Sequence, residues 1–137
     1  MQATIDGRTI HAEPGDTIYR AATVASISIP SLCASRQLSP YGSCRLCVCE
    51  VDGLTGLHAA CCMPLQDGMI VRTDSPQLHR HRRNLIELYL SEQPTGEPAH
   101  ELRELAKRYN LTKIRYPPGA ARAAIRDESS PFFTFDN

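Results

Sequence analysis

The stretch "IPSLCASRQLSPYGSCRLCVCEVDG", residues 29–53, carries four of the chain's six cysteines. Pro30 stops any helix arriving from the N-terminal side, since proline lacks the N–H and clashes with the preceding turn. From Ser31 to Ser43 no periodicity survives, and Pro40 and Gly42 mark a loop. Then "RLCVCEVDG" takes up a period of two with β-branched residues, so Leu46 to Val51 reads as a strand turning at Asp52-Gly53. Three cysteines at a loop-to-strand junction, Cys33, Cys44 and Cys47, with Cys61 further on, give the pattern C-x10-C-x2-C-x13-C.

On the N-terminal side, "ATIDGRTIHA" alternates about Asp6-Gly7, a dipeptide suited to a primed hairpin turn. Strands are expected at 2–5 and 8–12. Asp16 or Thr17 can cap a helix over 16–26, with Ile18, Ala21, Ala22 and Ala25 at helical spacing. On the C-terminal side, "GLHAACC" and "GMIVRTD" read as further strands. Ser75-Pro76 then opens an amphipathic helix over 76–92 presenting Leu78, Leu85, Ile86, Leu88 and Tyr89. This order predicts an α+β sheet crossed by one helix. Beyond Pro94 one short helix is expected over 98–109, and "TKIRYPPGAARAAIRDESSPFFTFDN" has no regular pattern.

The 137 residues amount to one domain, or one domain with an appendage. Fifteen basic and fifteen acidic side chains cancel, so no overall field recruits nucleic acid or an anionic membrane surface. No apolar run reaches the roughly 18 residues of a spanning helix, which argues against membrane insertion. "MQATIDGRTIHAEPGDT" has no charged leader followed by an apolar segment, so a cytoplasmic location is expected. Clustered thiols in that reducing compartment hold metal or do redox work more often than they form disulfides.

Four cysteines can serve zinc or an iron-sulfur cluster. A zinc ribbon pairs two C-x2-C knuckles, whereas here only Cys44 and Cys47 form one. The long loop "ASRQLSPYGS" suits a larger anionic object, to which it can present backbone N–H groups. Gly42 permits close approach of that backbone.

"IPSLCASRQLSPYGSCRLCVCEVDG", "AACCMPLQDGMIV" and the helix after them resemble the N-terminal 2Fe-2S domain of a family of large iron-sulfur subunits. The family includes NADH-quinone oxidoreductase, the diaphorase part of NAD-reducing hydrogenases and NAD-dependent formate dehydrogenases. The resemblance covers residues 1 to about 92. It implies a β-grasp, ferredoxin-like fold over 1–78; a helical segment over 79–110 and an irregular C-terminal extension over 111–137 are expected to follow. It further implies one 2Fe-2S cluster with Cys33, Cys44, Cys47 and Cys61 as ligands. Cys49 is expected to pack as a small hydrophobe. Cys62, beside Cys61, is expected on the opposite face of a strand, although adjacent cysteines can exchange as ligands.

Two departures from the family pattern stand out. The His-x3-Cys-x2-Cys-x5-Cys motif for a 4Fe-4S cluster is missing: Gln93 stands at the histidine position and His100 at that of the last cysteine. "DESSPFFTFDN" resembles the lead-in to a paired 4Fe-4S module, so the chain is either a natural small subunit or a fragment. Nothing else looks catalytic, and His11, His58 and His79 have no visible nucleophile partner. The expected function is an electron-transfer subunit or domain, not catalytic alone, within an oxidoreductase complex. Its partners would be iron-sulfur, flavin or molybdenum/tungsten subunits, with formate dehydrogenase the expected host. The alternatives are a hydrogenase or complex I relative, a free-standing ferredoxin, or a zinc-binding interaction module. "HRHRR", His79 to Arg83, reads as a solvated helix face or as a patch for an acidic partner.

Overall fold

A computed structural model describes residues 1–34, 39–93, 98–117, 126–127, 130–132 and 135–136. Strands β1 (Gln2–Ile5) and β2 (Arg8–His11) pair antiparallel across Asp6-Gly7. Both turn residues have positive φ, 49° and 76°, as the primed turn requires. Helix α1 (Ile18–Val24) starts at Thr17, whose hydroxyl accepts the Arg20 N–H at 3.2 Å. It is shorter than the 16–26 expected, and Ser26, in the left-handed region at φ 58°, lies just beyond its end.

Strands β3 (Val48–Val51), β4 (His58–Ala59) and β5 (Ile70–Arg72) complete a sheet of order β2-β1-β5-β3-β4. Only the β1–β5 pair is parallel. This is the mixed sheet with a crossing helix of the expected α+β, β-grasp class. Ile18, Ala21 and Ala22 of α1 pack with Ile5, Ile10, Val51 and Val71 of the sheet. The strand expected over "GLHAACC" is cut to His58–Ala59. Residues 60–63 turn instead, because the carbonyls of Ala60 and Met63 accept the N–H groups of Tyr19 and Ile18 at 2.9 and 3.0 Å.

Helix α2 (Pro76–Ser91) is capped by Ser75, which accepts the Leu78 N–H at 3.2 Å and donates to Glu50 at 2.7 Å. Helix α3 (His100–Arg108) packs on α2. The two helices share a second apolar cluster with Cys44 and Leu46, built from Ile86, Leu102, Leu105 and Tyr109. Within 111–137, expected to be irregular, a short antiparallel pair forms between β6 (Arg126–Asp127) and β7 (Phe135–Asp136). Among the described residues no helix is long and apolar enough to cross a membrane.

The segment after α3 is tied to α2 through Glu87, whose side chain is buried. Its carboxylate accepts from the Arg115 backbone N–H and, at 2.8–3.1 Å, from the Arg115 guanidinium. The Arg115 bonds hold the Glu87 carboxyl below its usual range. A carboxyl lowered in the folded state stabilises it above the ordinary value, about 4.3, and that contribution is lost as pH falls through the lowered value. The 111–117 segment is therefore expected to stay docked at neutral pH and to loosen only in acid, below the usual carboxylate range. The Arg115 amide and guanidinium NMR signals, followed from pH 7 downward, check this, and in Glu87→Gln the loosened signals should appear already at pH 7.

Candidate metal centre

Four of the six free cysteines come together as two pairs. The Cys44 N–H donates to Cys33 Sγ at 3.4 Å, and the Cys33 and Cys44 thiols interact directly. The Cys47 thiol acts on the Cys61 thiol and so makes the second pair. Tyr19 of α1 senses all four: burial and then the charges of Cys47, Cys44, Cys61 and Cys33 push its hydroxyl up. The four sequence-expected ligands thus lie on the same side of the domain, within electrostatic reach of Tyr19. Cys44, Cys47 and Cys61 are buried and Cys33 is half-buried.

Backbone N–H groups line the first pair. Leu32 N–H donates to Cys44 Sγ at 3.5 Å, and the Leu46 N–H also turns toward that sulfur. Burial opposes ionisation of Cys44, but these donors and the Cys33 thiol outweigh it and bring its thiol down to about 7. Burial pushes the Cys33 and Cys61 thiols up, and the adjacent Cys47 thiol adds to the effect at Cys61.

The tight path between Cys44 and Cys47 needs Arg45 at φ 54°, a left-handed conformation costing ~1–2 kcal/mol for a residue with a Cβ. This kink delays the expected strand from Leu46 to Val48. Gly42, at φ 72°, lies against the turn that carries Cys61 and Cys62: a Cβ there would stand 3.2 Å from Cys62 Sγ.

Helix α2 holds the carbonyl side of the same segment. Tyr89 Oη donates to the Cys44 carbonyl at 3.0 Å and His81 Nε2 to the Arg45 carbonyl at 3.2 Å. Arg82 donates through Nε to Leu46 O at 3.1 Å and through Nη2 to Val48 O at 2.8 Å. Its Nη1 reaches Thr73 O at 2.8 Å and the Tyr109 hydroxyl at 3.4 Å. Arg82 is 2% exposed, so the solvated-face reading of "HRHRR" fails for this residue. The signal was in the spacing: Leu78, Arg82 and Ile86 stand four apart, and the arginine occupies the middle of the apolar stripe. Arg80 and Arg83 are exposed.

Cys49 is fully buried and its Sγ donates to the His58 carbonyl at 3.4 Å, while burial pushes its thiol up to about 12. Cys62 corrects the sequence reading. Its Sγ lies 3.6 Å from Cys61 Sγ instead of across a strand, because the two sit in the 60–63 turn, and Cys62 is exposed. Gln93 turns its amide back onto the Tyr89 carbonyl at 3.2 Å, and His100 begins α3 on the exposed side.

A β-grasp sheet with paired soft thiols and N–H donors aimed at sulfur is the architecture of a ferredoxin-like iron-sulfur domain. The profile of the 2Fe-2S iron-sulfur cluster binding domain matches residues 1–76, and the chain belongs to that family. The mitochondrial 78 kDa subunit of NADH-ubiquinone oxidoreductase from Candida albicans is 31% identical over 135 residues, which is 94% of this chain and 19% of that protein. The NADP-reducing hydrogenase subunit HndD of Solidesulfovibrio fructosivorans is 37% identical over 143 residues, 95% of this chain and 24% of that protein. A crystal structure of an NAD+-reducing nickel-iron hydrogenase in the H2-reduced state superposes with a TM-score of 0.82 at 34% identity, over 95% of this chain and 57% of that chain. The chain therefore spans about a fifth of the length of these curated relatives.

The residues present fit a 2Fe-2S cluster: four thiols, N–H donors at sulfur, and a glycine where a Cβ would crowd the turn. Gly42→Ala is expected to cost ~1–2 kcal/mol through its left-handed φ and to crowd Cys62. Thermal unfolding of the cluster-loaded chain and its visible absorbance check this, with a lower midpoint and reduced cluster content as the expected outcome.

Proposed function

We propose that the chain is an electron-transfer domain or subunit of a larger oxidoreductase, holding one 2Fe-2S cluster through Cys33, Cys44, Cys47 and Cys61. The observation that carries this reading is the two-plus-two grouping of thiols, Cys33 with Cys44 and Cys47 with Cys61. Two irons, each needing two thiolates, match two pairs. When bound, such a cluster takes up and returns one electron at a time. The chain's own residues exclude water from it, donate to its sulfurs and fix its position.

The names of the relatives support a host of the NADH-quinone oxidoreductase or hydrogenase type, with sister subunits as partners. Formate dehydrogenase remains a proposed host on the similarity of "YGSCRLCVCEVDG" and "DESSPFF". Six free thiols suit a reducing compartment, and we place the protein in the cytoplasm on that ground.

Purified under anaerobic conditions, the full chain should be brown and reducible, with iron and acid-labile sulfide in equal amounts. A colourless protein carrying one zinc per chain would sink the reading. Serine at position 33, 44, 47 or 61 should abolish or strongly reduce the visible absorbance, whereas Cys49→Ser and Cys62→Ser should keep it. Loss in the Cys62 variant alone would reassign the fourth ligand. Mass spectrometry of what co-purifies from the native host identifies the complex.

A further inference from the structure

We propose that α2 tunes the cluster: His81, Arg82 and Tyr89 are positioning residues that hold the carbonyls of the cysteine segment away from the sulfurs and so direct its N–H groups toward them. This inference rests on the cluster-binding reading above. The segment from Cys44 to Val48 has a carbonyl on every residue, and an oxygen facing an anionic sulfur is repelled while an N–H is attracted. The backbone can be oriented one way only if something accepts the work of satisfying the carbonyls. Tyr89 takes that of Cys44, His81 that of Arg45, and Arg82 those of Leu46 and Val48. All three donors come from one helix, on positions 81, 82 and 89, so they act as one rigid row.

One peptide links the row to sulfur. The Arg45 carbonyl that accepts from His81 belongs to the same peptide group as the Leu46 N–H, and that N–H favours the thiolate of Cys44. A hydrogen bond at the oxygen end polarises the peptide and strengthens the donor at its nitrogen end. Arg45 itself is held left-handed, a strained conformation that persists only where its surroundings impose it. Arg82 adds a positive charge in a buried position. Donors and positive charge both favour the more anionic, reduced cluster, so the row raises the reduction potential.

The test uses the cluster-loaded full chain, its Arg82→Lys and Tyr89→Phe variants, and three readouts: midpoint potential, EPR g-values of the reduced state, and rate of cluster loss to a chelator. Lysine keeps the charge but cannot span two carbonyls, and phenylalanine removes one hydroxyl while leaving the ring. Both variants are expected to bind the cluster with a midpoint shifted to more negative values, altered g-values and faster cluster loss. Wild-type potential and g-values in both would overturn the proposal. If Arg82→Lys fails to fold, Tyr89→Phe decides alone, a wild-type midpoint there counting against it. Absence of a two-iron cluster from the unaltered chain would instead overturn the functional reading on which this one stands.

Discussion

The guanidinium of Arg82 resolves a problem that the sheet creates for itself. Strand β5 pairs with β3 at Glu50–Arg72 and Val51–Val71 and then ends. The chain of β3 and the residues before it continue past that point, and on the side facing β5 the carbonyls of Val48 and Leu46 have no strand to meet. Each buried carbonyl left unpaired would cost about 1–3 kcal/mol. Arg82 supplies donors from three nitrogens and closes both carbonyls of this unpaired edge as well as Thr73 O, where β5 leaves off. Its planar, multiply donating fork is what allows one side chain to do this.

Around that junction the two halves of the site are held by different helices for related reasons. The first N–H groups of any helix lack partners within it. In α1, Ile18 and Tyr19 donate theirs to Met63 and Ala60, which bracket Cys61 and Cys62, so helix entry fixes the fourth cysteine. Helix α2 works through its side chains on the segment carrying Cys44 and Cys47, and α3 backs it through Tyr109, which meets Arg82 and packs with Ile86 and Leu46. Arg108 at the end of α3 also reaches Ser28 Oγ at 3.1 Å, just before the cysteine loop.

What could be read in advance was local. Asp6-Gly7, Thr17, Ser75-Pro76 and the x2 spacing of Cys44 and Cys47 act over a few residues, and the structure places a turn, two caps and a pair of neighbouring thiols there. Strand alternation could not foresee the 60–63 turn, because its cause lies about forty residues away in the unpaired N–H groups of α1. Cys62 was misplaced for that reason. Arg82 was misread because charge outweighed position: four residues from Leu78 and four from Ile86, it sits where only a buried side chain fits, and its acceptors come from elements that sequence does not bring together.

Burial of that charge has a further consequence. Every hydrogen bond of Arg82 among the described residues goes to an uncharged oxygen, so desolvation of the cation is offset by dipoles and not by a carboxylate. A cluster held by four thiolates would be anionic, and Cys47, one of its proposed ligands, lies between the two residues whose carbonyls Arg82 grips. The cation and the cluster are each expensive to bury alone and less so together. Binding of the cluster would then stabilise the folded chain by more than its iron-sulfur bonds, since it would also supply a counter-charge that Arg82 does not find among the described residues.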